Sequence, residues 1–372
     1  MSNAPITTKE QLHEYLHAAI QLEHATLPPY LVALYSIYPG TNVDAFQVIR
    51  CVAVEEMLHL TLAANMLNAT GGTPNLTRPG FVPAYPAYLP DGETDFQVSC
   101  GKFSKKTVET FLKIERPAIP EEKHLKDVHP KQSKLGVVER KASSQTIIPT
   151  MTADKSEYHF YSIGEFYAAI AQGIEHLCDE MGEDKVFVQD EEAKNRQITP
   201  EYYYSGGGEI IPVYDLLSAK AACRLISEQG EGHDGAIFDY EGEISHYYRF
   251  EQLILGNYYL EGDQPGQPSG GPLDIDWEAV YPIKTDIKLA DLPPVTEVHQ
   301  AVRAFNETYF SFLGRLTHAL NGKPDLFIPA IGDMFHIKNR MYEIMRNPIP
   351  GTDSVHASPT FEVDEFAKKE GN

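Results

Sequence analysis

Apolar residues recur with a helical period over most of the chain. Leu12, Tyr15, Leu16, Ala19 and Ile20 share one face of a segment from about Thr8 to Tyr38, and Thr8 followed by Gln11 is a capping-box pattern at its start. A second run covers about Val43 to Thr70 and stops at Gly71-Gly72, a strong C-terminal signal. The two predict an opening helical hairpin. Pro28-Pro29 falls inside the first segment and removes the amide donors for the carbonyls of His24 and Ala25, which predicts a kink.

From Thr73 to Tyr158 the periodicity fades. Prolines at Pro79, Pro83, Pro86 and Pro90 mark an irregular excursion, relieved by one short helix from Ser104 to Ile114 with Ser104 as its cap. The charged, weakly periodic stretch Glu115 to Tyr158 is a candidate lid. A third long helix starts at Ser162, with Glu165 completing a capping box, and runs through Ile170, Ile174 and Leu177 to about Met181. After a Tyr- and Gly-rich loop, a fourth helix covers about Val213 to Glu228 and a fifth begins near Ser245. Two more follow, about Thr296–Leu320 and Pro324–Met345. The expected organisation is all-α: a bundle over 1–260 with an insertion at about 73–158, and a linker over 261–295. A helical pair over 296–350 packs on the bundle, and a mobile tail covers 351–372.

Polar residues on the apolar stripes carry the candidate chemistry. Glu23 sits on the stripe of the first helix, where an unpaired carboxylate is costly. In the second helix Glu56 and His59, three apart, converge on one spot, and Glu55 shares a face with His59 at four apart. Spacing does not separate Glu55 from Glu56. A carboxylate and an imidazole together suit iron or manganese; the alternative is a surface Glu beside a satisfied core His. His24 points about 100° away from Glu23.

The second half of the pattern is less complete. Of Glu165 and Glu175 in the third helix, Glu165 is explained by its capping role and Glu175 is the preferred ligand. Glu228 and Glu231 have the three-residue spacing without a His at the third place, and His246 is the natural outside donor. Each has an ordinary reading too: a buried acid for Glu175, a solvated helix end for Glu228, aromatic core for His246. Tyr30, Tyr35, Tyr167 and Tyr247 lie near these residues in sequence, as pocket lining or as core packing. His336 and Glu343 read as structural.

Charge narrows the partners. With 53 acidic against 31 basic residues the net charge is −22, which disfavours nucleic acid and anionic membranes. No apolar run is long enough to span a bilayer, the start is no signal peptide, and four scattered cysteines suit a reducing compartment. A cytoplasmic protein is expected.

The segment Gln21-Leu22-Glu23-His24-Ala25-Thr26-Leu27-Pro28-Pro29-Tyr30-Leu31 resembles the opening helix of a bacterial ferritin-like family. Glu55-Glu56-Met57-Leu58-His59-Leu60, with Ala63 to Asn68 and Gly71-Gly72-Thr73-Pro74, resembles its second helix. Glu228-Gln229-Gly230-Glu231-Gly232 and Ser245 to Phe250 are similar to its later motifs. The family includes the iminophenyl-pyruvate dimer synthases of bisindole pigment biosynthesis, whose chains are longer. Ferritin-like carboxylate bundles pair a lone Glu from two helices with a Glu-x-x-His from two others. The resemblance implies a ferritin-like bundle with long insertions and extra C-terminal helices. It further implies a metal site at Glu23, Glu56, His59, Glu228 and His246, and secondary metabolism.

The leading functional expectation is a non-haem iron or manganese oxidase or oxygenase. It would hold one or two ions and act on a small organic substrate with dioxygen. The alternatives are a metal-binding or iron-handling protein without substrate chemistry, and a degenerate bundle used as a binding module. The C-terminal helices either complete the bundle or form a homodimer interface.

Overall fold

Capping side chains set where the long helices start. The Thr8 hydroxyl accepts the amide of Gln11 at 3.2 Å, and those of Ser104 and Ser162 accept from Thr107 at 3.2 Å and Glu165 at 3.1 Å. The computed structural model describes residues 6–90, 95–117, 160, 162–188, 190–204, 206–232, 236–239, 241–352 and 354–370. Its helices are α1 (Lys9–Ser36), α2 (Val43–Ala69), α3 (Lys105–Ile114), α4 (Ile163–Met181), α5 (Glu183–Val186), α6 (Glu191–Asn195), α7 (Leu216–Glu231), α8 (His246–Leu255), α9 (Glu297–Leu320), α10 (Phe327–Met345) and α11 (Asp364–Glu370). Among the described residues there is no β-strand, only isolated bridges. The all-α expectation holds.

The hairpin of α1 and α2 is the centre of the molecule. It is buried nearly all round through Gln21–Tyr30 and Glu55–Ala69, as expected of helices packed on several sides. The antiparallel pair α4 and α7 packs against it, α4 on α1 and α7 on α2. Helix α3 lies on α8, and α8 also touches α2 and α7, so a third pair closes the side of the bundle. The α9–α10 hairpin covers another face through contacts of α10 with α1.

Helix α1 runs unbroken through Pro28-Pro29. The Ala25 carbonyl, left without a donor by Pro29, accepts the Tyr85 hydroxyl at 2.7 Å. The start of the insertion is thereby tied to the helix. Gln21 adds to this tie by donating to the carbonyls of Gly80 and Phe81 at 2.9 and 3.0 Å. The lid expected over Glu115–Tyr158 lies, from residue 118 on, outside the described residues.

Two stretches expected as linker and tail carry anchoring contacts. The segment expected as a linker is pinned to the α1–α2 turn, where Asn42 and Asp276 exchange two 2.8 Å hydrogen bonds and Trp277 stacks on Phe103. Within the segment expected as a mobile tail, residues 357–361 are buried. Phe361 packs edge-on to Phe305 and Tyr309, and Thr360 bonds Asn306 at 2.9 Å. The polar, turn-rich composition of both stretches hid single anchoring side chains. No helix of the described residues is long and apolar enough to cross a membrane.

Candidate metal centre

Five side chains from four elements converge in the core beside α2. Glu23 comes from α1, Glu56 and His59 from α2, Glu115 from the residue that ends α3, and His246 from the first residue of α8. They form two triads that share Glu56: Glu23–Glu56–His59 and Glu56–Glu115–His246. In each triad the ligand atoms lie within 4.8 Å of one another. All five are essentially buried. His59 Nδ1 stands 3.7 Å from Glu23 Oε2 and 4.0 Å from Glu56 Oε1. His246 Nδ1 stands 3.1 Å from Glu56 Oε1 and 3.3 Å from Glu115 Oε2.

The surroundings repeat the same plan on each side. The two imidazoles lie roughly parallel, ring centres 5.4 Å apart, and both turn Nδ1 inward. Their Nε2 atoms face outward onto acceptors. Gln229 Nε2 donates to the Gly207 carbonyl at 2.8 Å, so Gln229 Oε1 is the acceptor of the 2.8 Å bond with His59 Nε2. His246 Nε2 donates to the Glu55 carboxylate at 2.7 Å, and Arg249 lies 3.3 Å from the other Glu55 oxygen. In the neutral ring this places the proton on Nε2 and leaves the Nδ1 lone pair facing the carboxylates, as metal-bound histidines require. The outer carboxylates match too. Tyr167 donates to Glu23 Oε1 at 2.5 Å, and Tyr30 donates to Glu115 Oε1. Thr26 donates to Glu56 Oε2 at 3.2 Å.

Backbone economy makes the arrangement fit. Gly207, at φ +78°, lies against α2 so closely that a Cβ there would meet the Glu55 Cα at 3.0 Å. A residue with a side chain would push this loop, and the carbonyl that orients Gln229, off the helix. Gly164 is likewise crowded by the Glu231 carboxylate, which accepts the Gly164 amide at 2.6 Å and ties the end of α7 to the start of α4.

Electrostatics strain the site in the absence of a cation. Burial and the neighbouring Glu115 charge push Glu56 well above the usual carboxylate range. Burial alone would raise Glu23 as well, but its interactions with His59 hold it below the ordinary value. His246 is pulled well above its ordinary value, burial notwithstanding, by Glu115 and by hydrogen bonds to Glu55 and Glu56. Burial and the adjacent carboxylates raise both tyrosine hydroxyls, which keep their protons. Glu23 Oε2 has no hydrogen-bond partner although it is buried. Three buried carboxylates, two imidazole Nδ1 atoms turned toward them and an orphaned oxygen together fit a pair of divalent ions with mixed N/O ligands, which would take the place of the proton that His246 shares with Glu56 and Glu115.

The candidates from sequence divide cleanly. Glu23, Glu56, His59 and His246 meet in this cluster, with Glu55 behind His246. Glu175 does not. The buried stripe of α4 is Ile163, Phe166, Tyr167, Ile170, Ile174 and Leu177, and Glu175 stands beside it, paired with Lys220 at 2.9 Å at the surface. Glu228 does not either. The inward face of α7 carries Ala222, Ile226 and Gln229, and Glu228 bonds Arg224 at 2.7 Å. Of the four tyrosines, Tyr30 and Tyr167 reach the cluster, whereas Tyr35 packs on Tyr342 and Tyr247 on Tyr248. His24 bonds Tyr309 at 2.8 Å. Sequence reasoning missed Glu115 and Gln229. Glu115 opens a stretch without periodicity and had no signal; Gln229 lay on the apolar stripe of α7 and could have been found there.

A carboxylate–histidine centre set between helix hairpins defines the class, and the chain belongs to the ferritin-like family, whose model matches residues 16–255. Among characterised proteins it is similar to dichlorochromopyrrolate synthase of Lentzea aerocolonigenes, 23% identical over 98% of this chain. This chain spans 37% of that synthase's length. Among solved structures it is similar to a ferritin-like protein from Caulobacter vibrioides, with a TM-score of 0.58 and 22% identity over 92% of this chain and 97% of that one. The likeness in fold to that protein thus extends beyond the residues that the family model matches.

Proposed function

We propose that the protein is a dinuclear non-haem metal oxidoreductase that acts on a small organic molecule with dioxygen. The observation that carries this reading is the pair of imidazoles, each with Nε2 anchored to an outer acceptor and Nδ1 turned to the carboxylates. An imidazole held from outside by one acceptor and facing two buried carboxylates with its other nitrogen is the arrangement expected of a metal ligand. Glu23, Glu56 and His59 would hold one ion, and Glu56, Glu115 and His246 the other. Iron or manganese bound there supplies Lewis acidity and redox equivalents for dioxygen chemistry.

The chain's own residues set the conditions for that chemistry. Tyr167 and Tyr30 hold neutral hydroxyl protons on Glu23 and Glu115 and so fix which carboxylate oxygens face inward. Gln229 and Glu55 fix the imidazole rings, an effect typically worth about 10–100-fold in metal affinity. Near-complete burial keeps bulk water from the ligands. Similarity to dichlorochromopyrrolate synthase, an enzyme named for an organic product, supports an organic substrate over metal storage.

The test is ferrous loading under anaerobic conditions followed by oxygen-electrode measurements. Sustained oxygen uptake that depends on an added organic substrate, and that is lost in Glu56→Ala, is the expected result. Uptake that stops once the bound iron is oxidised, whatever substrate is added, would leave metal handling in its place.

A further inference from the structure

A cavity of about 200 Å³ lies where α10 covers the α1–α2 hairpin. Its volume is below the ~300–1,000 Å³ usual for drug-sized ligands, so its occupant is small. Leu27, Leu31 and Leu34 form one wall. The seven rises of about 1.5 Å from Leu27 to Leu34 make that wall roughly 10 Å long, a match for an extended chain of roughly eight to ten carbons. The buried part of the lining includes Met57, Tyr309 and Phe327. Met57 follows Glu56 directly, on an adjacent face of α2.

The charged residues of the lining lie at its solvent edge: Arg50 is exposed and Lys338 half-buried, and no acidic residue lines the cavity in a chain whose net charge is −22. The two cations flank one aromatic pair. Arg50 acts electrostatically on the Tyr35 hydroxyl, Lys338 lies one turn before Tyr342, and the Tyr35 and Tyr342 rings meet at 5.2 Å. Neither cation is paired with a carboxylate among the described residues; Arg50 reaches only the Gln47 amide oxygen, at 3.5 Å. The rim is apolar, with Tyr204 and Phe335 at 62% and 63% exposure.

We propose that this cavity binds a medium-chain alkyl carboxylate, its head between Arg50 and Lys338 and its chain along Leu27, Leu31 and Leu34 toward Met57. The cations supply charge-assisted hydrogen bonds at the solvent edge, where a carboxylate keeps part of its hydration. The chain displaces water from an apolar wall. The binding needs no metal and goes beyond the reading of the carboxylate centre.

Isothermal titration of the full-length protein with decanoate, decanol and 2-naphthoate tests this directly. Decanoate should bind once per chain, at least about tenfold tighter than decanol, and lose about tenfold in Arg50→Ala/Lys338→Ala. Both cations are at the surface edge, so that variant should keep the thermal stability of the parent. Leu31→Trp, checked for folding by circular dichroism, should block decanoate by filling the channel. Equal binding of decanol and decanoate, or an unaffected double variant, would overturn the head-group assignment. Tighter binding of 2-naphthoate would replace the extended chain by a compact aromatic occupant, and no saturable binding of any of the three would remove the site.

Discussion

The two triads that meet at Glu56 are near copies in space and opposites in sequence. Glu23, Glu56 and His59 come from one helical hairpin, where helix periodicity alone carries the residues to a common face. Glu115 and His246 come from a helix end and a helix start, brought in by the packing of α3 on α8 and of α8 on α2. Helices α4 and α7, which flank the hairpin where a four-helix carboxylate bundle draws its second pair of ligands, contribute supports instead: Tyr167 to Glu23 and Gln229 to His59. The same donor set can therefore be completed by different helices, provided each inward lone pair keeps an outward anchor.

The largest effect should come from the shared residue. Glu56→Ala removes a ligand from both triads, and metal analysis after iron loading should find the protein empty. Single-triad variants sharpen the comparison. Glu115→Ala or His246→Ala should leave one ion held by Glu23, Glu56 and His59, and Glu23→Ala or His59→Ala should leave the other. If all four lose both ions equally, the triads are one inseparable site.

Smaller effects follow from the supports. Tyr167→Phe and Tyr30→Phe should each weaken metal binding by about tenfold, seen in competition with a chelator, because a carboxylate loses its fixed orientation. Glu175→Ala and Glu228→Ala should change neither metal content nor, beyond about 0.5 kcal/mol, stability, since their partners Lys220 and Arg224 are surface cations.

A pH dependence is expected away from the centre. Burial and the Arg78 and His13 charges lower His17 to about 4. The unfolded chain takes up this proton near pH 6.5 and the folded protein only near 4. The stability due to a neutral His17 is therefore complete above 6.5 and lost as pH falls toward 4. Denaturant unfolding of His17→Gln across that window should be flatter than the parent by on the order of 1 kcal/mol, after allowance for solvent screening.

Much of the fold was legible. Thr8, Ser104 and Ser162 start their helices with the caps that their sequences announce, and Gly71-Gly72 ends α2. The first triad was legible for the same reason: local periodicity fixes direction within a helix. Glu175 and Glu228 failed by one residue each, because a 100° step separates a margin from a buried stripe and only tertiary packing decides which face turns in. Glu115 was illegible, since nothing local tells a helix-ending acid in solvent from one seated before Tyr30 and His246. The buried tail around Phe361 failed similarly: a single aromatic anchor leaves no period to read.

The account rests most on two ions sharing Glu56, and elemental analysis of iron-loaded parent, Glu115→Ala and Glu56→Ala proteins tests it most directly. Two ions per chain in the parent, one in Glu115→Ala and none in Glu56→Ala is the expected series. A Glu56→Ala protein that retains its metal, or a Glu115→Ala protein indistinguishable from the parent, would contradict it.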